Sequence, residues 1–178
     1  QKMYEFSESG MYTRKFLGDF QDVNYLLDRT GIDYSDLAKY SDKVRNNGGG
    51  FYNHYLYFQN MSPDKKSPKG NLSEAIKNSF GGLPQLKKKL EEAGTGLFGS
   101  GWVWLVTNKR GDLDILTTTN QDNPIMKKSF AGEVLMGMDV WEHAYYLKHK
   151  ADRKSYIKDF LDVIDWDVVG DRFNKFVK

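Results

Sequence analysis

The sequence predicts an α+β protein: helices first, then a linker, then a lobe in which helices close a small antiparallel sheet. Three observations carry this. Apolar residues recur at helical spacing before residue 60. The stretch MSPDKKSPKGNL (61–72) gathers two prolines, a glycine and four charges, the composition of a connection between lobes. From Trp102 onward the apolar period changes to two, the signature of strands.

Taken in order, Tyr12, Phe16, Phe20, Val23 and Leu27 lie three or four residues apart and form the apolar stripe of a first helix, which RTGID (29–33) ends. A second helix runs from about Tyr34 past Tyr40 and Val44 to GGG (48–50). Three glycines allow close backbone approach or a kink, so a helix over about 51–60 is expected to continue at an angle. Beyond the linker, Ser73 precedes a short helix that stops near Phe80, where Gly81 and Gly82 follow. Pro84 to Ala93 forms another, with Gly94 and Gly96 past its end. WVWLVT (102–107), the turn NKRGD (108–112) and LDILTTT (113–119) read as a β-hairpin, and EVLMGMD (133–139) as a third strand. Helices are expected over about 142–150, 155–163 and 166–176. The resulting organisation is a helical lobe at 1–62, a linker at 63–72 and an α/β lobe at 73–178.

Composition narrows the chemistry. The 178 residues are 39% hydrophobic and 15% aromatic, the profile of a globular chain rather than a disordered one. A net charge of +2 does not call for a nucleic-acid partner, and Lys87 to Lys89 read as a solvated helix face. With no cysteine there is neither a disulfide nor a thiolate ligand, so a metal would rest on imidazole and carboxylate, which suits manganese or iron. No apolar run reaches membrane-spanning length, so no membrane insertion is expected.

The run DVWEHAYY (139–146) places a carboxylate and an imidazole four residues apart, Asp139 and His143, with a second carboxylate, Glu142, between them. Such a pair can converge across a strand-to-helix turn on a metal. Asp139 can equally cap the following turn. Of the three histidines, His54 in NHYLYF (53–58) reads as either a core histidine among rings or a third ligand, and His149 is expected at the surface.

Several segments then carry a resemblance: RNNGGGFYNH (45–54), FGSGWVWLV (98–106), TNQDNP (119–124), MDVWEHAYYL (138–147) and IDWDVV (164–169). In these the chain resembles the iron/manganese superoxide dismutase family, and in RNNGGG, Gln121 and Gly137 its manganese-type branch. The resemblance implies an N-terminal helical hairpin packed on an α/β lobe with a three-stranded antiparallel sheet and a metal between the two. It implies that His54, Asp139 and His143 are three of four protein ligands, to manganese or iron if a metal is held. Gln121 matches the outer-sphere glutamine that bonds the metal-bound solvent. Trp102, Trp104 and Trp141 match the aromatic wall of the site. Glu142 matches a glutamate that bonds the ligand histidine of a second subunit, and Tyr146 lies at the same interface, so a two-fold dimer is implied. The substrate implied is superoxide, and the compartments are the mitochondrial matrix or bacterial cytoplasm.

The departures gather in the first helix. Anchoring on DVNYLL (22–27) puts Met11 at the first ligand position, Lys15 and Phe16 at two following histidines, and Asp19 at a gate tyrosine. Phe58 stands where the family has tryptophan. Two readings follow. One is a dismutase-like protein with three of four ligands, reduced or lost activity, and a structural role in a larger assembly such as a ribosome. The other is an active enzyme in which Asp19, Glu8 or water supplies the fourth ligand.

Overall fold

A computed structural model describes residues 42–177. The helix expected from Tyr12 to Leu27, with Met11, Lys15, Phe16 and Asp19, and the start of the second helix lie outside the described residues.

The first described helix, α1, spans Asp42–Gln59 as one uninterrupted element. The expected kink at GGG is therefore corrected: the glycines serve the other role open to them. A Cβ on Gly49 would stand 2.2 Å from the Gln121 carbonyl oxygen, and one on Gly50 3.3 Å from the Gln121 side-chain amide carbon. The missing side chains let the helix lie against the segment after β2.

Helix α2 spans Gly70–Phe80 and α3 Leu83–Gly96. Helix α2 starts four residues earlier than expected, because Lys69 is extended and Gly70 turns at φ 52°, so Ser73 is not its cap. Helix α3 continues through Gly94 because that position needs to be small: a Cβ there would lie 2.7 Å from Ile157 Cδ1 and 2.9 Å from Met138 Cε. The linker is pinned. Ser62 donates its N–H to the Val163 carbonyl at 2.8 Å, and Lys66 Nζ reaches Asp165 at 2.9 Å.

Strands β1 (Gly101–Thr107), β2 (Leu113–Thr119) and β3 (Glu133–Asp139) form one antiparallel sheet in the order β2-β1-β3. Register places Trp102 opposite Asp139 and Trp104 opposite Gly137. Side chains alternate across a strand, so the two tryptophans and Asp139 share one face, while Val103, Leu105, Met136 and Met138 share the other. Strand β1 is buried along its whole length, covered on both faces. This is the three-stranded α+β arrangement that the sequence pattern predicts.

The single helix expected over 142–150 is instead a 3-10 turn at Glu142–Ala144 followed by a short α4, Tyr146–His149. Lys150 at φ 53° ends it. Helix α5 spans Arg153–Asp162, capped by Asp152, whose Oδ1 accepts from Ser155 N at 2.9 Å. Helix α6 spans Trp166–Phe176, capped likewise by Asp165. Leu72 and Ile76, Leu86 and Leu90, and Ile157 and Leu161 recur four residues apart and are all buried, which is why these short helices hold. His149, expected at the surface, is nearly buried: its Nδ1 meets Ser155 Oγ at 3.1 Å and its ring stands edge-on to Tyr156. Among the described residues no helix is long and apolar enough to cross a membrane.

Candidate metal centre

Three elements bring three donors together. His54 comes from α1, Asp139 from the last position of β3, and His143 from the 3-10 turn that follows. His143 Nε2 lies 3.1 Å from Asp139 Oδ2, His54 Nε2 lies 3.4 Å from the same oxygen, and the two Nε2 atoms are 3.5 Å apart. Residues 54 and 143 are 89 positions apart in sequence, so only the packing of α1 on the sheet creates the set.

Each donor is held from behind. His54 Nδ1 lies 2.7 Å from the Gly50 carbonyl oxygen. A carbonyl only accepts, so Nδ1 carries a proton, which leaves Nε2 to face Asp139 either as a metal donor or, when the ring is protonated, as a hydrogen-bond donor. Asp139 divides its two oxygens: Oδ1 accepts the Trp141 backbone N–H at 2.9 Å, and Oδ2 faces both imidazoles. The capping role open to this residue is present on Oδ1, and Oδ2 is the oxygen left facing the imidazoles.

Electrostatics follow from burial. Asp139 is 1% exposed, a costly place for a charge without partners. Burial pushes its carboxyl up, but hydrogen bonds from His143 and His54, the charge on His143 and the Trp141 N–H hold it below the ordinary aspartate value. Burial pushes His54 down, and the hydrogen bond and charge of Asp139 with the Gly50 carbonyl lift it above the ordinary histidine value. Three lone-pair donors facing one another repel unless a cation stands among them, whether proton or metal. Their 3.1–3.5 Å separations match the edges of a coordination shell with bonds of about 2.1 Å. The donor chemistry, two imidazoles and a carboxylate, suits manganese or iron.

Rings flank the set, while His143 stays exposed on one side. Trp102 stands edge-on to His54 with centroids 5.1 Å apart, Trp141 stacks on His143 at 5.7 Å, and Phe58 stacks on His54 at 6.4 Å. Trp104 is one layer back, stacked on Trp102 at 5.5 Å. Gly137 must be a glycine for that ring to fit, since a Cβ would lie 2.5 Å from Trp104 Cζ3. Gln121 joins the cluster indirectly: its Oε1 accepts from Trp102 Nε1 at 3.2 Å and from Asn53 Nδ2 at 3.3 Å. Tryptophan Nε1 is only a donor, so the amide oxygen is the atom that faces it. Glu142 and Tyr146 are exposed.

The sequence reading passed over Asn53, Asn123, Arg45 and Asp122. Asn53 is fully buried mid-helix, donates to the Gln121 carbonyl at 3.0 Å, and accepts from Asn123 Nδ2 at 2.9 Å. An asparagine inside a helix is a weak signal that its side chain is wanted elsewhere.

Residues 68–172 match the family described as iron/manganese superoxide dismutases, C-terminal domain. The chain belongs to the iron/manganese superoxide dismutase family. It is 43% identical over 157 residues to superoxide dismutase [Mn] of Acinetobacter baylyi, an alignment covering 85% of this chain and 69% of the relative. It is 47% identical over 133 residues to superoxide dismutase [Mn] of Thermus thermophilus, covering 74% and 64%. It is 46% identical over 131 residues to superoxide dismutase [Mn] 3 of Leptolyngbya boryana, covering 73% and 54%. The chain thus spans from about half to just over two thirds of these relatives' lengths. All three carry manganese in their names, in line with the manganese-type resemblance of RNNGGG, Gln121 and Gly137.

Proposed function

We propose that this chain is a dismutase-like metal protein in which His54, Asp139 and His143 hold manganese, or iron, and in which superoxide turnover is reduced or lost. The observation that carries the ligand assignment is the convergence of Asp139 Oδ2 and the two Nε2 atoms within 3.5 Å of one another. A bound ion supplies the one-electron chemistry. The chain's own residues orient the imidazoles, keep Asp139 ionised, and pack Trp102 and Trp141 against them. Reduced turnover is supported by the first-helix departures, where Met11 stands at the first ligand position of the family pattern. The chain has three histidines, and the third, His149, is engaged with Ser155 and Asp159. Losing a group that only supports a ligand costs about 10–100-fold in affinity or activity, and losing a ligand costs at least that.

The active alternative, with an oxygen donor in the fourth position, draws support from the Gln121–Trp102–Asn53 network, which is complete. A homodimer, or docking into a larger assembly, would use the face of Glu142 and Tyr146, where Leu147 is also exposed. The test is metal content of the purified chain measured with superoxide-dismutation rate. Stoichiometric manganese with ordinary turnover would establish the alternative, and no uptake of manganese or iron would sink the ligand assignment. Met11→His is the companion variant: it should raise metal affinity if residue 11 occupies the first ligand position.

A further inference from the structure

Arg45, Gly49 and Asn53 follow at four-residue spacing along α1, so they form one stripe. That stripe lies on residues 121–123. Arg45 grips Asp122 in a fork, Nε on Oδ1 at 2.7 Å and Nη2 on Oδ2. Gly49 packs under the Gln121 carbonyl, and Asn53 bonds both Gln121 and Asn123. From the sheet side, Asp122 N donates to the Thr119 carbonyl at 3.1 Å, and Thr118 Oγ1 donates to the Asp122 carbonyl at 2.5 Å. Thr118 Oγ1 in turn accepts from Trp104 Nε1 at 2.8 Å. Asp122 is therefore where α1 and the sheet are joined, next to the glutamine that reaches Trp102. Asn120, one residue before Gln121, turns in the left-handed region at φ 51°. Asn120 is still tied to the sheet, its N–H donating to the Ser100 carbonyl at 2.9 Å and its carbonyl accepting from Trp141 Nε1 at 3.0 Å, so the segment turns there and residues 121–123 are held mainly by these side chains.

We infer that Asp122 is a positioning residue for the metal centre: with Arg45 it sets where the Gln121 amide stands relative to His54, Asp139 and His143. A forked guanidinium–carboxylate pair fixes direction as well as distance. The helix face beneath is in contact already, so a loosened segment can only swing outward and carry the amide away from Trp102. This inference rests on the ligand reading proposed above.

The experiment compares Asp122→Asn, which keeps the shape and removes the charge, and Arg45→Lys, which keeps the charge and removes the fork. Each is made in the natural chain and in a Gln121→Ala background. The readouts are the Mn2+ dissociation constant by chelator competition, and hydrogen exchange of the Gln121 side-chain amide in 15N-labelled, metal-free protein. Mn2+ binding should weaken about three- to tenfold in the natural chain, a smaller loss than for groups bonded to a ligand. In the Gln121→Ala background the change should fall below about twofold, because coupled residues are not additive. The Gln121 amide should exchange faster in both variants. Equal losses in the two backgrounds, or an unchanged Gln121 exchange rate, would overturn the inference. If the natural chain takes up no Mn2+, the ligand reading fails by itself, and the exchange measurement still decides whether Asp122 holds Gln121.

Discussion

Gly49→Ala is the sharpest test of how α1 is seated. The added Cβ would lie 2.2 Å from the Gln121 carbonyl oxygen, 2.7 Å from Met126 Cε and 3.2 Å from the Gln121 carbonyl carbon. The methionine end can move aside, but the carbonyl is backbone and is held by Asn53 at 3.0 Å. Ordinary contact between such atoms needs about 1 Å more, and overpacking of this kind costs about 1–3 kcal/mol. Alanine in place of glycine inside a helix returns about 1 kcal/mol. The net expectation is a loss of up to about 2 kcal/mol, a fall of several degrees in Tm for a chain of this size. Gly96→Ala is the control. It also lies in a helix, α3, but a Cβ there meets nothing within 4 Å, so the same substitution should leave Tm unchanged or raise it. Thermal melts followed by circular dichroism in chelator measure both. A Gly49→Ala protein whose Tm shifts as favourably as that of Gly96→Ala would refute the close-approach account of GGG.

The remaining expectations concern charge and hydrogen bonding. His54, raised above 6.5, contributes stability that is full below that value and is lost as pH rises through its folded pKa. Asp139, lowered below 3.8, contributes stability present above that value and lost as pH falls through its folded pKa. The metal-free chain should therefore gain most from this pair between those values, and Asp139→Asn should flatten a Tm-against-pH profile across the rise of His54. A profile unchanged by the substitution would contradict the pairing. Tyr57 and Tyr156 share a buried bond at 3.1 Å, and burial pushes the Tyr57 hydroxyl up to about 12, so the pair stays protonated. Tyr57→Phe should cost about 1 kcal/mol by denaturant titration, and adding Tyr156→Phe should cost less than the sum of the two. Arg172 is half-buried and donates to Asn60 Oδ1 at 2.7 Å, to the Leu135 carbonyl at 2.8 Å and to Gln59 Oε1 at 2.6 Å, tying α1 to β3. Arg172→Met leaves those acceptors without their donor and should cost about 3 kcal/mol or more, since each unsatisfied buried group costs about 1–3 kcal/mol. A loss under 1 kcal/mol, taken as about the worth of a single hydrogen bond, would show the junction does not depend on it.

Some features were written in the order of residues, others only in space. Strands β2 and β3 and helix α6 fall where the pattern puts them, because alternation of burial along a strand and the 3.6-residue turn of a helix are local properties. The pair Asp139 and His143 was legible for the same reason: four residues across one turn suffice to bring them within 3.1 Å. GGG announced that something had to come close, yet not what, and the choice between kink and contact depended on a carbonyl 72 positions away. His149 and Gly94 were misplaced because their surroundings, Tyr156 and Ser155 for one and Ile157 and Met138 for the other, come from other elements. The sequence by itself thus determined the fold class, the strand pattern and half of the candidate site. Only the tertiary structure decided that His54 meets that half, and that Arg45, Asn53 and Asp122 hold Gln121. Those decisions rest on side chains from distant segments meeting in one close-packed junction, and local periodicity carries no record of that.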